Sequence, residues 1–190
     1  MKLKQLALTA ALGATLAAPA MAQDVLTGDT RLACEAILCL SSGTRPSECA
    51  PSLARYFGIS YKKWSDTLRG RIDFLNLCPA SSMDSNMQKL VNAIGSGAGR
   101  CDPGSLNSSL QMWYGGWDSG TTMISNQMPD YCTAYTTNAY TDLKSIKPVY
   151  VGVPERGGYW VDPAQYQQAL AEYNARIAAE DAQRNSWWGN

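Results

Sequence analysis

Few residues of this chain could carry out chemistry, and the lack of histidine removes the commonest catalytic designs. The sequence has 190 residues, with no histidine and six cysteines. Ser-His-Asp and Cys-His nucleophiles, His-ligated zinc and histidine pH switches are therefore excluded. The glycine-rich segment 95–99 is followed by Arg100 rather than by Gly-Lys-Ser/Thr, so it is not a phosphate-binding loop. We interpret it as the end of a helix and a flexible linker.

The carboxylate with the best prospects for catalysis is Glu35, which lies between two cysteines on a largely apolar predicted helix. Burial there would raise its pKa, as a general acid acting on peptidoglycan requires. The alternative is an exposed or capping carboxylate on a disulfide-bound helix, and this is the interpretation we adopt. Asp66 and Asp73 would lie about 10 Å apart along a helix, slightly beyond the roughly 6.5–9.5 Å of inverting glycosidases. We therefore predict a protein without a catalytic residue. The alternative prediction is a small periplasmic peptidoglycan hydrolase that uses Glu35 as its general acid.

The cysteines predict disulfides rather than a metal site. No Cys-x-x-Cys pair and no histidine is available to complete a zinc site, so neither a metal nor a cofactor is expected. An even number of cysteines in an exported protein is typical of a disulfide framework, here three bonds with 15 conceivable connectivities. The cysteines are Cys34, Cys39, Cys49, Cys78, Cys101 and Cys132.

The geometry of an α-helix reduces the number of possible disulfide connectivities. Cys34 and Cys39 are five residues apart on one predicted helix, which separates them by about 7.5 Å along the axis and about 140° around it. A disulfide needs closer, converging side chains, so these two should not pair. The turn-rich segment 41–46 brings Cys39 to Cys49, which leaves Cys34 for a distant partner. The predicted bonds are Cys39–Cys49, Cys34–Cys78 and, by elimination, Cys101–Cys132.

Residues 1–22 have the three parts of a secretory signal peptide. Lys2 and Lys4 precede an apolar run at 6–18, and Ala20-Met21-Ala22 provides a small-residue cleavage site. The run has about 13 residues, fewer than the roughly 20 that span a bilayer. We therefore expect cleavage before Gln23, export to the periplasm and no stable membrane anchor.

Helical periodicity dominates the mature part. Helices are expected from Thr30 to Leu40, from Pro51 to Gly58, from Ser60 to Cys78, and from Ser82 to the glycine run. Apolar residues at helical spacing also predict a helix over residues 132–146, although the threonines between them weaken this pattern. The sequence thus predicts a mainly α-helical, disulfide-stapled domain over residues 23–146.

Residues 147–190 change character. Apolar residues on both sides of the segment 154–158 suggest a short β-hairpin near 149–161. Asp162, Pro163 and Gln165 then form the start signal of a C-terminal helix, with a capping box. Ion pairs Glu172–Arg176 and Glu180–Arg184 are expected on its exposed side. We expect this helix to pack on the hairpin or on a partner.

Two groups of apolar side chains are candidate interaction surfaces. Aromatic and methionine side chains around glycines make adaptable contact surfaces, although in a small domain they can instead fill the core. The first group is Met112, Trp113, Tyr114 and Trp117; the second is the narrow helical stripe Tyr166, Leu170, Tyr173 and Ile177.

The cysteine-rich start, residues 29–53, carries a pattern that resembles the TrbM/KikA/MpfK family of conjugal transfer proteins. The pattern is C-E-A-x-L-C-L-S-x-G…R-P-x-E-C-x-P-S-L, from Cys34 to Leu53. The resemblance implies an exported accessory protein of mating-pair formation, beside a type IV secretion apparatus, and brings no catalytic residue. The expected partners are other periplasmic proteins of that apparatus. Nucleic acid is not expected, because 16 basic residues are balanced by 16 acidic ones.

Overall fold

Helices dominate the computed structural model, which describes residues 26–116 and 120–188. Four short strands form two antiparallel hairpins that share no strand. The helices are α1 (Gly28–Ser41), α2 (Ala50–Phe57), α3 (Trp64–Leu75), α4 (Ser85–Gly97), α5 (Pro103–Ser109), α6 (Asp130–Thr136) and α7 (Tyr166–Trp188). The strands are β1 (Gln111–Tyr114), β2 (Thr121–Ile124), β3 (Val149–Val151) and β4 (Tyr159–Val161). The mainly α, disulfide-stapled fold with a hairpin near 149–161 is confirmed.

Three helices begin at residues other than those predicted. The predicted caps Thr30 and Ser60 do not start helices, because α1 begins at Gly28 and α3 at Trp64. Helix α4 begins three residues after the predicted Ser82, which lies in a short 3₁₀ turn. Its cap is Asp84, whose carboxylate accepts hydrogen bonds from the backbone N–H groups of Asn86 at 2.7 Å and Met87 at 2.9 Å.

Helix α4 ends within the glycine run, as predicted, but the predicted flexible linker is wrong. Gly95 and Gly97 lie inside α4 and are buried. A Cβ atom on Gly95 would lie 2.6 Å from Ile72 Cγ1, and one on Gly97 would lie 2.6 Å from Tyr135 Cβ. The two glycines therefore let α4 approach α3 and α6 more closely than any side chain would allow.

The predicted helix over residues 132–146 is interrupted. Helix α6 ends at Thr136, and only a short 3₁₀ turn over Lys144–Ile146 follows. The hydroxyl groups of Thr136 and Thr137 donate to the carbonyl groups four residues before them, and Asn138 accepts a bond from the backbone N–H of Tyr140. Such local side-chain bonds compete with helix continuation. Leu143 is nevertheless buried in the core.

The start of the C-terminal helix also differs in detail. Asp162 precedes a 3₁₀ turn over Pro163–Gln165, and its side chain makes no capping bond, so the capping box is wrong. The ion pairs are shifted as well. Arg176 pairs with Glu180, and Arg184 lies 3.5 Å from Asp181. These bonds replace the predicted pairs Glu172–Arg176 and Glu180–Arg184.

The core has two parts. The larger one gathers apolar side chains of α1 to α6 together with Trp160. Its buried hydroxyl groups are satisfied by backbone: Tyr56 donates to the carbonyl of Ile94 at 3.0 Å, and Tyr135 donates to that of Leu40 at 2.5 Å. Burial raises the pKa of both phenols, so both stay neutral donors. The smaller part lies between α7 and the β3–β4 hairpin.

Candidate interaction surface

An exposed two-stranded hairpin carries the first predicted group of side chains. Strands β1 and β2 pair in the register Met112↔Met123, Trp113↔Thr122 and Tyr114↔Thr121. Because side chains alternate along a strand, Trp113 lies on one face and Met112 and Tyr114 on the other. All three are exposed: Met112 by 43%, Trp113 by 61% and Tyr114 by 58%. Trp117 lies outside the described residues.

Trp113 lies against a glycine of the opposite side of the hairpin. A Cβ atom on Gly120 would lie 2.3 Å from two atoms of the Trp113 indole ring. The lack of a side chain at Gly120 therefore leaves room for the ring. This contact holds one side of the indole and leaves most of the ring exposed.

The base of the β1–β2 hairpin is fastened to the second hairpin. The Tyr150 hydroxyl donates to the carbonyl of Ile124 at 2.7 Å, and the indole N–H of Trp160 donates to the carbonyl of Ser125 at 2.9 Å. The two rings contact each other edge to face, with centroids 5.2 Å apart. The exposed surface is thus fixed at its base to a buried tryptophan.

Trp160 is itself held by Asn107 of α5. The side-chain amide of Asn107 donates to the carbonyl of Trp160 at 2.8 Å and accepts from its backbone N–H at 2.7 Å. Asn107 is a functional contact that sequence reasoning missed. Its isolated position among serines gives no signal of a partner 53 residues away.

The second predicted group of side chains is used within the chain. Tyr173 is buried, and Tyr166, Leu170 and Ile177 pack around it against the β3–β4 hairpin. Gly152, with a φ of +78°, permits this contact, because a Cβ atom there would lie 2.2 Å from the Tyr173 ring. The stripe therefore contacts its own chain, while Tyr166, Leu170 and Ile177 keep part of their surface exposed. The structure selects the alternative in which the helix packs on the hairpin of its own chain.

The predicted connectivity of the cysteines is the one in the structure. The bonds are Cys34–Cys78, Cys39–Cys49 and Cys101–Cys132, with Cα–Cα distances of 4.9, 5.8 and 5.4 Å. Cys34 and Cys39 do leave α1 in different directions, one toward the segment after α3 and the other toward the turn before α2.

The carboxylates considered for catalysis lie at the surface. Glu35 accepts a hydrogen bond from Arg31 at 2.5 Å in an i,i+4 ion pair. Its side chain is 33% exposed and paired with a guanidinium, so it is not the buried carboxyl that the general-acid hypothesis requires. Asp66 and Asp73 are exposed on α3. Within residues 26–116 and 120–188, no group of histidine, cysteine, aspartate or glutamate side chains could hold a metal ion.

A groove beside Glu35 is the second feature of this region. It has a volume of about 380 Å³. Glu35 and Glu48 lie on its walls, together with Leu38 and the Cys39–Cys49 disulfide. We call it the acidic groove; its full lining is Glu35, Leu38, Cys39, Ser42, Thr44, Pro46, Glu48 and Cys49. Sequence reasoning did not connect Glu48 with Glu35, because the turn that joins them is fixed only by the disulfide.

No helix in the described part of the chain is long and apolar enough to cross a membrane. Fold and surface together define a mainly helical, three-disulfide domain that presents an exposed aromatic hairpin and an acidic groove. The sequence model of the TrbM protein family matches residues 25–174. The chain therefore belongs to the TrbM family and is a conjugal transfer-related protein. No curated protein and no solved structure matches it.

Proposed function

We propose that this protein is an exported, periplasmic accessory factor of plasmid conjugative transfer that acts by binding other proteins of the transfer apparatus. The observation that carries the proposal is the pair of exposed aromatic side chains on the β1–β2 hairpin. Trp113 and Tyr114 point to opposite faces of a strand and are both more than half exposed. Tyrosine and tryptophan are enriched at protein interfaces.

Burial of these side chains in a partner would release substantial free energy. An aromatic side chain buries about 150–250 Å² when fully covered, at roughly 25 cal/mol per Å². With more than half of each ring available, a partner could gain about 3 kcal/mol from each. Because the two anchors lie on opposite faces of a hairpin with a fixed base, a partner that covers both faces would bury both.

The periplasmic location has two supports. The signal-peptide pattern over residues 1–22 lies outside the described residues and remains a prediction. Three disulfides are typical of proteins in an oxidising compartment. No membrane anchor is proposed, and the expected partners are periplasmic proteins of the mating-pair formation and type IV secretion machinery.

Mating assays combined with cell fractionation test this proposal. Donor cells that lack the protein should transfer the plasmid at least tenfold less often, and the full chain should restore transfer. A form without residues 2–22 should accumulate in the cytoplasm with reduced, unpaired cysteines and should not restore transfer. Normal transfer by the deleted strain would contradict the proposal, as would full activity of the cytoplasmic form.

A peptidoglycan hydrolase is the second candidate, because Glu35 and Glu48 line the same groove. Two carboxylates on either side of a sugar chain are the usual arrangement of glycosidases. Loss of turbidity of a purified peptidoglycan suspension would support this function if Glu35→Gln abolished it. A folded Glu35→Gln protein that restores transfer fully would instead favour the binding function.

A further inference from the structure

The segment from Cys34 to Leu53 contains both buried side chains and side chains that line a surface groove. Within this segment, Ala36, Leu40 and Ser52 are completely buried, so the core accounts for them. Glu35, Leu38, Pro46 and Glu48 of the same segment are not buried. All four line the acidic groove, although they come from α1 and from the turn before α2.

Leu38 is the most unusual of these residues. Its side chain is 70% exposed, whereas Ile37 and Leu40 of the same helix are buried. Together with Pro46 and the disulfide it gives the groove apolar walls. An exposed leucine at the edge of a groove is suited to cover an apolar side chain of a partner.

The two charged side chains that line the groove, Glu35 and Glu48, are both acidic. No basic side chain lines it, while two carboxylates do. Glu35 is paired with Arg31, but Glu48 accepts only a 3.3 Å hydrogen bond from the hydroxyl of the adjacent Ser47. Within the described residues, Glu48 forms no ion pair, so it can accept a cationic group without losing one.

Cross-links make the groove a preformed site. The Cys39–Cys49 bond joins its two sides, and Cys34–Cys78 ties the same helix to the segment after α3. Arg55 of α2 also holds Asp29 of α1 through two hydrogen bonds of 3.2 and 2.8 Å. A preformed site loses little conformational entropy when it binds. The volume of about 380 Å³ is at the small end of binding pockets, enough for one or two side chains.

We propose that the acidic groove binds a segment of a partner protein in which a lysine or arginine stands next to an apolar side chain. The cationic group contacts Glu48 and Glu35, and the apolar side chain packs on Leu38 and Pro46. This inference rests on the proposed function, because it specifies how a protein of the transfer apparatus would be recognised.

Site-specific photo-cross-linking in donor cells tests the inference. A p-benzoylphenylalanine residue would replace Leu38, with the same substitution at Met83, which is 72% exposed, as the matched control. We expect a discrete protein adduct at position 38 only, attached within a few residues of a lysine or arginine. Glu35→Lys combined with Glu48→Lys should reduce this adduct at least tenfold at unchanged protein level. Glu48→Lys alone breaks no ion pair of the described residues and should reduce the adduct at least threefold. This single variant tests the inference even if the double variant folds poorly.

The contrary results are equally definite. No adduct above that at Met83, an adduct that survives both charge reversals, or attachment to lipid, glycan or a segment without basic residues would overturn the inference. Mating assays separate its failure from failure of the proposed function. If the strain without the protein transfers normally, the proposed function fails. If that strain is defective but folded groove variants restore transfer completely and form the adduct unchanged, only the groove inference fails.

Discussion

Asn107 supplies Trp160 with both backbone hydrogen bonds that a neighbouring strand would otherwise give. Its amide donates to the Trp160 carbonyl at 2.8 Å and accepts from the Trp160 N–H at 2.7 Å. This side chain therefore joins α5 to β4. The indole N–H of Trp160 in turn donates to the carbonyl of Ser125, so Asn107 also helps to fix the base of the exposed β1–β2 hairpin.

Asn107→Ala should destabilise the protein by about 2–4 kcal/mol, because it leaves two partly buried backbone groups of Trp160 unpaired. Alanine is the better helix former, so helix propensity alone would give the opposite sign. The matched control is Asn92→Ala, which removes a single exposed hydrogen bond to the carbonyl of Gln88 and should change stability by less than about 0.5 kcal/mol. Urea unfolding monitored by tryptophan fluorescence measures both. Equal, small changes would show that Asn107 is not a tie between the elements.

Removing a disulfide should lower the free energy of unfolding more when the bond closes a longer loop. Loss of Cys34–Cys78, with a sequence separation of 44, should cost about 4 kcal/mol, and loss of Cys39–Cys49, with a separation of 10, about 2.7 kcal/mol. Because small domains have only about 5–15 kcal/mol of stability, the first loss should lower the amount of protein in the cell. Paired Cys→Ala variants, compared by chemical denaturation and immunoblot, test the order. The reverse order would contradict the loop argument, as would a normal amount of folded protein lacking Cys34–Cys78.

Gly97→Ala should destabilise the protein by about 1–3 kcal/mol, although alanine usually stabilises a helix. The new methyl group would lie within 2.9 Å of three atoms of Tyr135, which is buried and hydrogen-bonded to Leu40. Gly70→Ala is the control, since a Cβ atom there would lie 2.9 Å from the exposed, movable ring of Tyr61 and 3.0 Å from Ile59 Cγ2, farther than the 2.6 Å to Tyr135 at Gly97. Thermal unfolding should show a clear loss for Gly97→Ala and a smaller effect for Gly70→Ala. A stabilised Gly97→Ala variant would disprove the close helix contact.

Asp84→Asn should remove part of the acid sensitivity of the protein. Hydrogen bonds from the Met87 N–H, the Asn86 N–H and the Tyr140 hydroxyl hold the pKa of Asp84 below its ordinary value of 3.8. A lowered pKa in the folded state means stabilisation that is present above about pH 4 and is lost as the pH falls through the folded-state pKa. Asparagine also caps helices well, so the wild-type protein should have only a modest advantage at pH 7, and a smaller one at pH 2.

Melting temperatures at pH 7 and pH 2 measure this difference. Asp73→Asn serves as the control, because Asp73 is exposed and makes no hydrogen bond or ion pair with the residues that the structure describes. A difference between wild type and Asp84→Asn that stays constant from pH 7 to pH 2 would show that the carboxylate charge does not contribute.

Local patterns in the sequence were enough to predict the main features of the fold. The spacing of Cys34 and Cys39 on a helix excludes their pairing, and helix geometry does not depend on the rest of the fold. The apolar stripe from Tyr166 to Ile177 likewise predicts a packed helix. What it packs against could not be predicted, because the stripe is the same for an internal and an external partner.

Features that depend on distant contacts were missed. Gly95 and Gly97 look like a linker, and only the contacts with Ile72 and Tyr135 explain them as close-packed helix residues. The β1–β2 hairpin was not predicted either, since its strands have four residues each and lack the alternation of a half-buried sheet.

The most direct test of the binding function is the mating frequency of a donor whose only copy carries Trp113→Ser and Tyr114→Ser. Tyr61→Ser is the matched control, because Tyr61 is 59% exposed but lies outside the hairpin. Loss of two interface anchors worth about 3 kcal/mol each should abolish binding. At wild-type protein level and melting temperature, the double variant should therefore transfer the plasmid at least tenfold less often, and Tyr61→Ser should transfer it normally. Normal transfer by the folded, abundant double variant would contradict the proposal that the hairpin binds a partner.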